Sequence, residues 1–242
     1  MINYIKQFKE ASDKMIVERH IESVYNKLPN LRNLVDVGAN HGTHTKGMLE
    51  VKSCVNLVSI EANPEIFKRS LTHISSPKLK IINAAATPNS LRNLKNITFK
   101  VKKEFHGRGG IEGLHIWKDI TPDVEFDTIT VPTINFDDLL LNNFKEGVDF
   151  IKMDIEGAEY SIILESEILF SNPKYRPILV LENSIYGLQL SKKTFKDLIN
   201  FININNLALL DFNYNNIKTE EDLWNFNMVW ICPNEKIKDL TQ

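Results

Sequence analysis

Short apolar runs recur along the chain at "LVDV" (34–37), "NLVSI" (56–60), "LKIINA" (79–84), "DFIKM" (149–153) and "PILVL" (177–181). Each is too short for a buried helix and too continuously apolar for a half-exposed strand, so each reads as a strand covered on both faces. Helix-like spacing fills the gaps between them. That alternation predicts right-handed β-α-β crossovers and an open, mostly parallel α/β sheet with helices on both faces. Downstream, "SKKTFKDLINFIN" opens on Ser191 as its cap and sets Phe195, Leu198, Ile199 and Ile202 on one face. "LALLDF" and "NMVWICP" then add two strands, for about seven in all.

Two regions stand outside this rhythm. Ile5, Phe8, Met15, Ile16, Val24 and Leu28 recur among charges at loosely helical spacing, which predicts a helical extension over residues 1–32 ahead of a single domain over 33–242. The extension either roofs a site or packs on the sheet. Between residues 97 and 134, "ITFKVKKEF" and "FDTITVPTI" alternate with a period of two around the glycine-rich "HGRGGIEGLH". This predicts a β-hairpin-like insertion whose long loop either faces a substrate or is disordered.

Composition narrows the setting. The 242 residues are 43% hydrophobic and 25% charged, enough for one substantial core, and the net charge of -2 is scattered along the chain. Nothing in that balance calls for a polyanion, so nucleic acid is not an expected partner. Cys54 and Cys232 are far apart and lack metal-ligand spacing, which excludes a zinc knuckle and suits a reducing compartment. The charged N-terminus lacks an apolar leader core and no run is long enough to span a bilayer, so the expectation is a cytoplasmic protein without a membrane partner. No oligomeric state is implied.

The chemistry starts at the first strand's exit, "VDVGANHG". In open α/β sheets ligands sit at the carboxyl ends of the strands. A dinucleotide loop needs G-x-G-x-x-G, but counting from Gly38 the next two glycine positions hold Asn40 and Thr43. Acids close or follow the strands: Asp36, Glu61, Asp154 with Glu156, and Glu182. They would repel a pyrophosphate, whereas an ammonium, a sulfonium and ribose hydroxyls would suit them, and S-adenosylmethionine carries all three. Glu61 lies 23 residues after Gly38, near the roughly 20 expected of an acid that grips a ribose.

In order, "LVDVGANHG", "VSIEANPEIF", "IINAAA", "TITVPTINFDDLL" and "DFIKMDIEGAEYSIIL" resemble the FkbM-type, class I S-adenosylmethionine-dependent methyltransferases, over roughly residues 34 to 183. The resemblance implies a Rossmann-like class I methyltransferase fold. It implies that Gly38 and Gly42 shape the turn beneath the methionyl part of the cofactor, that Asp36 and Asn40 receive its ammonium and backbone, and that Glu61 takes the ribose. Ala84 leaves room for adenine, while Asn83 either bonds the ring's edge or caps a turn.

Asp154 closes its strand where the methyl would be presented, so it either orients the sulfonium or serves as general base. Glu156 and Glu159 open the following helix, where acids complement the dipole by roughly 0.3–1 kcal/mol; Glu156 is also expected to meet the substrate. His106 and Glu182 are further acid-base candidates, and Arg108 suits an anionic group on the acceptor. Trp117 and Tyr186 offer rings to a sugar or aromatic acceptor, and His41 and His44 read as surface or helix-start residues. A less favoured arrangement has Asp154, Glu182 and Asn183 holding Mg²⁺ to lower a hydroxyl's pKa.

The expected activity is O-methylation of a sugar, glycan or small natural product. The alternatives are an NAD-dependent oxidoreductase or epimerase, and a non-catalytic cofactor-binding module.

Overall fold

A computed structural model describes residues 11–103, 109–112, 125–183 and 185–241. The strands, in chain order, are β1 (Asn33–Val37), β2 (Asn56–Glu61), β3 (Leu79–Asn83), β4 (Ala85–Thr87), β5 (Asn96–Lys102), β6 (Gly109–Ile111), β7 (Phe126–Asn135), β8 (Phe150–Met153), β9 (Ile178–Glu182), β10 (Leu207–Leu210) and β11 (Met228–Pro233).

Seven of them form one sheet in the order β10-β11-β9-β8-β1-β2-β3. The strands from β3 to β9 across the sheet run parallel, and β11 lies antiparallel to both β9 and β10. The apolar runs account for this: β1 from Leu34 onward, all of β8 and all of β11 are buried. The expected α/β, Rossmann-like arrangement is therefore present.

The faces of the sheet are covered by different helices. Residues of the helices Phe136–Asn143, Glu159–Glu165 and Phe195–Ile204 pack in one cluster with Val35 and Val37. In the other, Leu34, Phe150 and Trp230 meet Met48 of the helix Thr43–Glu50 and Ile21, Val24 and Tyr25 of the helix Ala11–Lys27. Alternate β1 side chains thus point to opposite layers, as the pleat requires. Tyr25 sets its ring edge-on to Phe150 at 5.9 Å. The N-terminal helix packs on the sheet by this face, so of the two readings the packing one holds for its described side chains.

Ser191 is not the cap of the helix Phe195–Ile204. Thr194 accepts the Asp197 amide, and the Asp197 carboxylate accepts the Thr194 amide in return. This capping box outcompetes Ser191, whose hydroxyl donates to the Leu188 carbonyl at 2.6 Å and finishes the preceding turn.

The strands of the insertion join β4 in a second sheet of four, β4-β7-β5-β6. β5 and β7 make the expected antiparallel hairpin, from Asn96 opposite Pro132 to Lys102 opposite Phe126. β6 and β4 flank it, and β4 follows β3 after a single residue, which ties the second sheet to the first.

Candidate active site

Strand register assembles the site. Moving outward from β1, the chain visits β2 and β3 on one side and β8 and β9 on the other, so the order reverses between β1 and β8, where ligands bind in such sheets. Val37 pairs with Ile60 and with Met153, so Gly38, Glu61 and Asp154 emerge side by side. Met153 pairs with Leu181, which brings Glu182 alongside.

Gly38 has φ +78°, and a Cβ there would stand 1.8 Å from the Asp154 carbonyl oxygen, so only glycine fits. The Gly38 and Ala39 amides donate to the Ile60 carbonyl at 3.0 and 2.9 Å, folding the loop back over β2. The next residues clamp Glu61: the Asn40 amide donates to Oε2 and the Asn63 amide to Oε1, each at 2.8 Å. Burial pushes the Glu61 carboxyl up, and these amides and the Lys152 charge pull it back.

At the other side of Gly38 the chain runs through a strained loop. Glu156 has φ 63° and Gly157 φ 131°. The buried Glu159 carboxylate holds that loop, accepting the Ile155 amide at 2.7 Å and the Gly157 amide at 2.9 Å. Burial, with the Asp154 charge adding to it, pushes Glu159 up to about 7. Of the readings open to Glu159, loop support is the one its contacts describe.

These elements enclose a cavity of about 370 Å³, within the usual range for small-molecule sites. Gly38, Asn40, Glu61, Asp154 and Glu156 line its polar side, and Ala84, Ala85 and Ala86 give it a small-residue wall. Phe99, Gly109 and Ile111 of the second sheet face it too. The second sheet is thus a wall of the site. No described residue of the helix Ala11–Lys27 lines the cavity.

The profile of the Methyltransferase FkbM domain matches residues 36–214. The chain belongs to the FkbM methyltransferase family. A putative S-adenosylmethionine dependent methyltransferase from Listeria monocytogenes is 9% identical with a TM-score of 0.44, over 90% of this chain and 96% of that one. Aeropyrum pernix fibrillarin, in complex with S-adenosyl-L-methionine, is 11% identical with a TM-score of 0.42, over 90% of this chain and 74% of that one. A chain from the complex between the Haloferax volcanii Trm112 methyltransferase activator and the putative methyltransferase is 10% identical with a TM-score of 0.43, over 92% of each. No curated protein matches the chain.

Several expected contacts of this FkbM-family chain lie elsewhere. Asp36 is fully buried and off the cavity wall; it accepts the Thr45 hydroxyl at 2.7 Å and pairs with Lys152. An inward-facing strand position puts it beneath the loop. Gly42 is also off the wall: its φ of 79° starts the helix Thr43–Glu50, against Leu71 and Ile74. Asn83 donates to the Glu61 and Ala62 carbonyls at 2.8 and 3.2 Å, so the turn-capping reading describes it.

Asn183, expected beside Asp154 and Glu182 in the magnesium arrangement, is hydrogen-bonded to other partners. Its amide donates to the Leu223 and Phe226 carbonyls and its oxygen accepts the Tyr160 hydroxyl at 2.5 Å, which uses both donors and one lone pair of the oxygen. Carboxylate oxygens of Asp154, Glu156 and Glu182 lie within 4.8 Å of one another.

His44 is buried beside Tyr25, whereas His41 is exposed on the cavity rim and its Nδ1 is 3.0 Å from the Ser70 hydroxyl. His106, Arg108 and Trp117 lie outside the described residues, and Tyr186 falls on the helix Ile185–Leu190. Sequence reasoning missed Lys152, Arg69, Phe99 and Ile111. A lysine inside a wholly apolar strand was the signal for the first; Phe99 and Ile111 carried only the two-residue alternation.

Proposed function

We propose that this FkbM-family chain transfers a methyl group from S-adenosylmethionine to a hydroxyl of a small-molecule or glycan acceptor. The observation that carries this reading is the Glu61 clamp. Two backbone amides fix the carboxylate at the end of β2 and leave each oxygen a further lone pair for ribose hydroxyls.

The rest of the cavity fits the same ligand. A Cβ at Gly38 would fill the bend over which a methionyl chain passes, and the alanine wall leaves a flat slot for adenine. Asp154 and Glu156 supply acceptors for an ammonium. Bound S-adenosylmethionine supplies an electrophilic methyl open to in-line attack by an acceptor oxygen.

The protein's part is then to position that oxygen and take its proton. Asp154, on the cavity wall and 18% exposed, is the proposed base, with Glu182 at the adjoining strand end as the second acid-base candidate. Phe99 and Ile111 give the cavity that holds the cofactor an apolar wall. Burial pushes the Cys232 thiol up to about 12 and also raises Cys54, so neither serves as a nucleophile near neutrality. Both are free and buried. Among the described residues no helix is long and apolar enough to cross a membrane.

A nicotinamide enzyme is disfavoured by the same acids, because a pyrophosphate at the Gly38 bend would face Glu61, Asp154 and Glu156 without the glycines that bring amides to it. Incubation with methyl-labelled S-adenosylmethionine and a panel of sugars, glycans and alcohols tests the proposal. Label on an acceptor oxygen is expected. Cofactor binding without transfer to any hydroxyl would remove O-methylation and leave the non-catalytic module or another acceptor atom.

A further inference from the structure

Lys152 is the third residue of β8, a strand buried along its whole length, and 4% of its side chain meets solvent. An ammonium withdrawn from water persists only with partners. Lys152 Nζ donates to the Gly38 carbonyl at 2.9 Å and lies 3.6 Å from both Asp36 Oδ1 and Asp154 Oδ2. Register explains the meeting, since β1 and β8 place Asp36 opposite Lys152 and Asp154 follows two residues on. Its charge is also felt at Glu61. Lys152 thus bears on the Gly38 bend and on the cavity-lining acids Asp154 and Glu61 while staying off the cavity wall.

We propose that Lys152 is a positioning residue that sets the charge balance of the cofactor cavity, limiting how much more tightly the cavity holds a cationic sulfonium than its neutral thioether product. The inference rests on the methyltransferase reading above. Its chemical reason is that the positive charge on sulfur is lost as the methyl leaves. A cavity left too negative would hold the charged ground state harder than the transition state and slow the transfer. One buried ammonium beside Asp154 offsets that excess, and its donation to the Gly38 carbonyl keeps the loop in register with the offset.

Calorimetry with S-adenosylmethionine and S-adenosylhomocysteine on wild type, Lys152→Arg and Lys152→Gln tests this. A unit charge several ångströms away in a partly screened site is worth about tenfold in affinity. Lys152→Gln, which keeps a hydrogen-bond donor without the charge, is expected to raise the sulfonium-to-thioether affinity ratio about tenfold. Lys152→Arg, which keeps the charge, is expected to stay within about twofold of wild type. Equal weakening of both ligands in Lys152→Gln, with no change of ratio, would reduce Lys152 to a structural residue and overturn the inference.

Because Lys152→Gln strands the buried Asp36, Asp36→Asn/Lys152→Gln is measured beside it, with circular dichroism to confirm the fold. Its ratio is expected to remain above wild type, since the lost cation adjoins the cavity wall and Asp36 does not form it. A wild-type ratio there also overturns the inference. A wild type that binds neither ligand overturns the methyltransferase reading itself.

Discussion

Gly38 and Gly42 have nearly the same backbone, φ +78° and +79°, yet differ in what a side chain would strike. At Gly38 it is the Asp154 carbonyl, part of the sheet's edge; at Gly42 it is the tips of Ile74 at 2.5 Å and Leu71 at 2.9 Å, which rotate. Gly38→Ala is therefore expected to cost more than the roughly 1–3 kcal/mol of a strained residue and to abolish cofactor binding. Gly42→Ala is expected to cost less and leave binding near wild type; thermal melts with and without S-adenosylhomocysteine check both.

Glu159 carries a pH signature. Its ordinary value is 4.5 and burial lifts it to about 7 in the folded chain, so between those values the native state holds the extra proton. Its contribution to stability is complete below about 4.5 and is lost as pH rises through about 7. Glu159→Gln is expected to flatten that fall, on the order of 1–3 kcal/mol, in denaturant unfolding followed from pH 5 to 8. An unchanged slope would remove Glu159 as its source.

Glu61 and Gly38 were legible because local spacing puts them at strand ends. Asp36, Asn83 and Asn183 were not, since their partners Thr45, Ala62 and Phe226 are set by folding at a distance. Lys152 escaped for the same reason: its charge has meaning only once β1 and β8 lie side by side.

At the scale of elements, the sequence pattern was most readable where burial is two-sided. β1, β2, β8, β9 and β11 coincide with mostly apolar runs, because a strand covered on both faces admits a polar residue only where it finds a partner, as Asp36 and Lys152 do. The three-residue strands β4 and β6 had no such signature and owe their pairing to β7 and β5. The helix start at Thr194 was readable in principle as T-x-x-D, three residues beyond the serine chosen for it. Thr194→Ala is expected to lower stability by about 1 kcal/mol, and Ser191→Ala by clearly less. Chemical denaturation of the two variants decides which residue caps the helix.

For the whole molecule, the sheet order and the second sheet together make the site. The reversal between β1 and β8 opens the crevice, Glu61, Asp154 and Glu156 line it, and the insertion adds a wall of Phe99 and Ile111. Removing that wall separates binding from folding. Ile111→Ala is expected to weaken S-adenosylhomocysteine severalfold at a cost of about 2–5 kcal/mol or less, the smaller because the residue borders a cavity. Calorimetry paired with a melt reads the two effects.

The central claim is that Glu61 and the Gly38 bend hold an adenosyl cofactor. Isothermal calorimetry of wild type and Glu61→Ala with S-adenosylmethionine, S-adenosylhomocysteine and NADH tests it most directly. Micromolar binding of both adenosyl ligands, lost in a folded Glu61→Ala and absent for NADH, is the result expected. Binding of NADH alone, or adenosyl binding that Glu61→Ala leaves intact, would contradict the account.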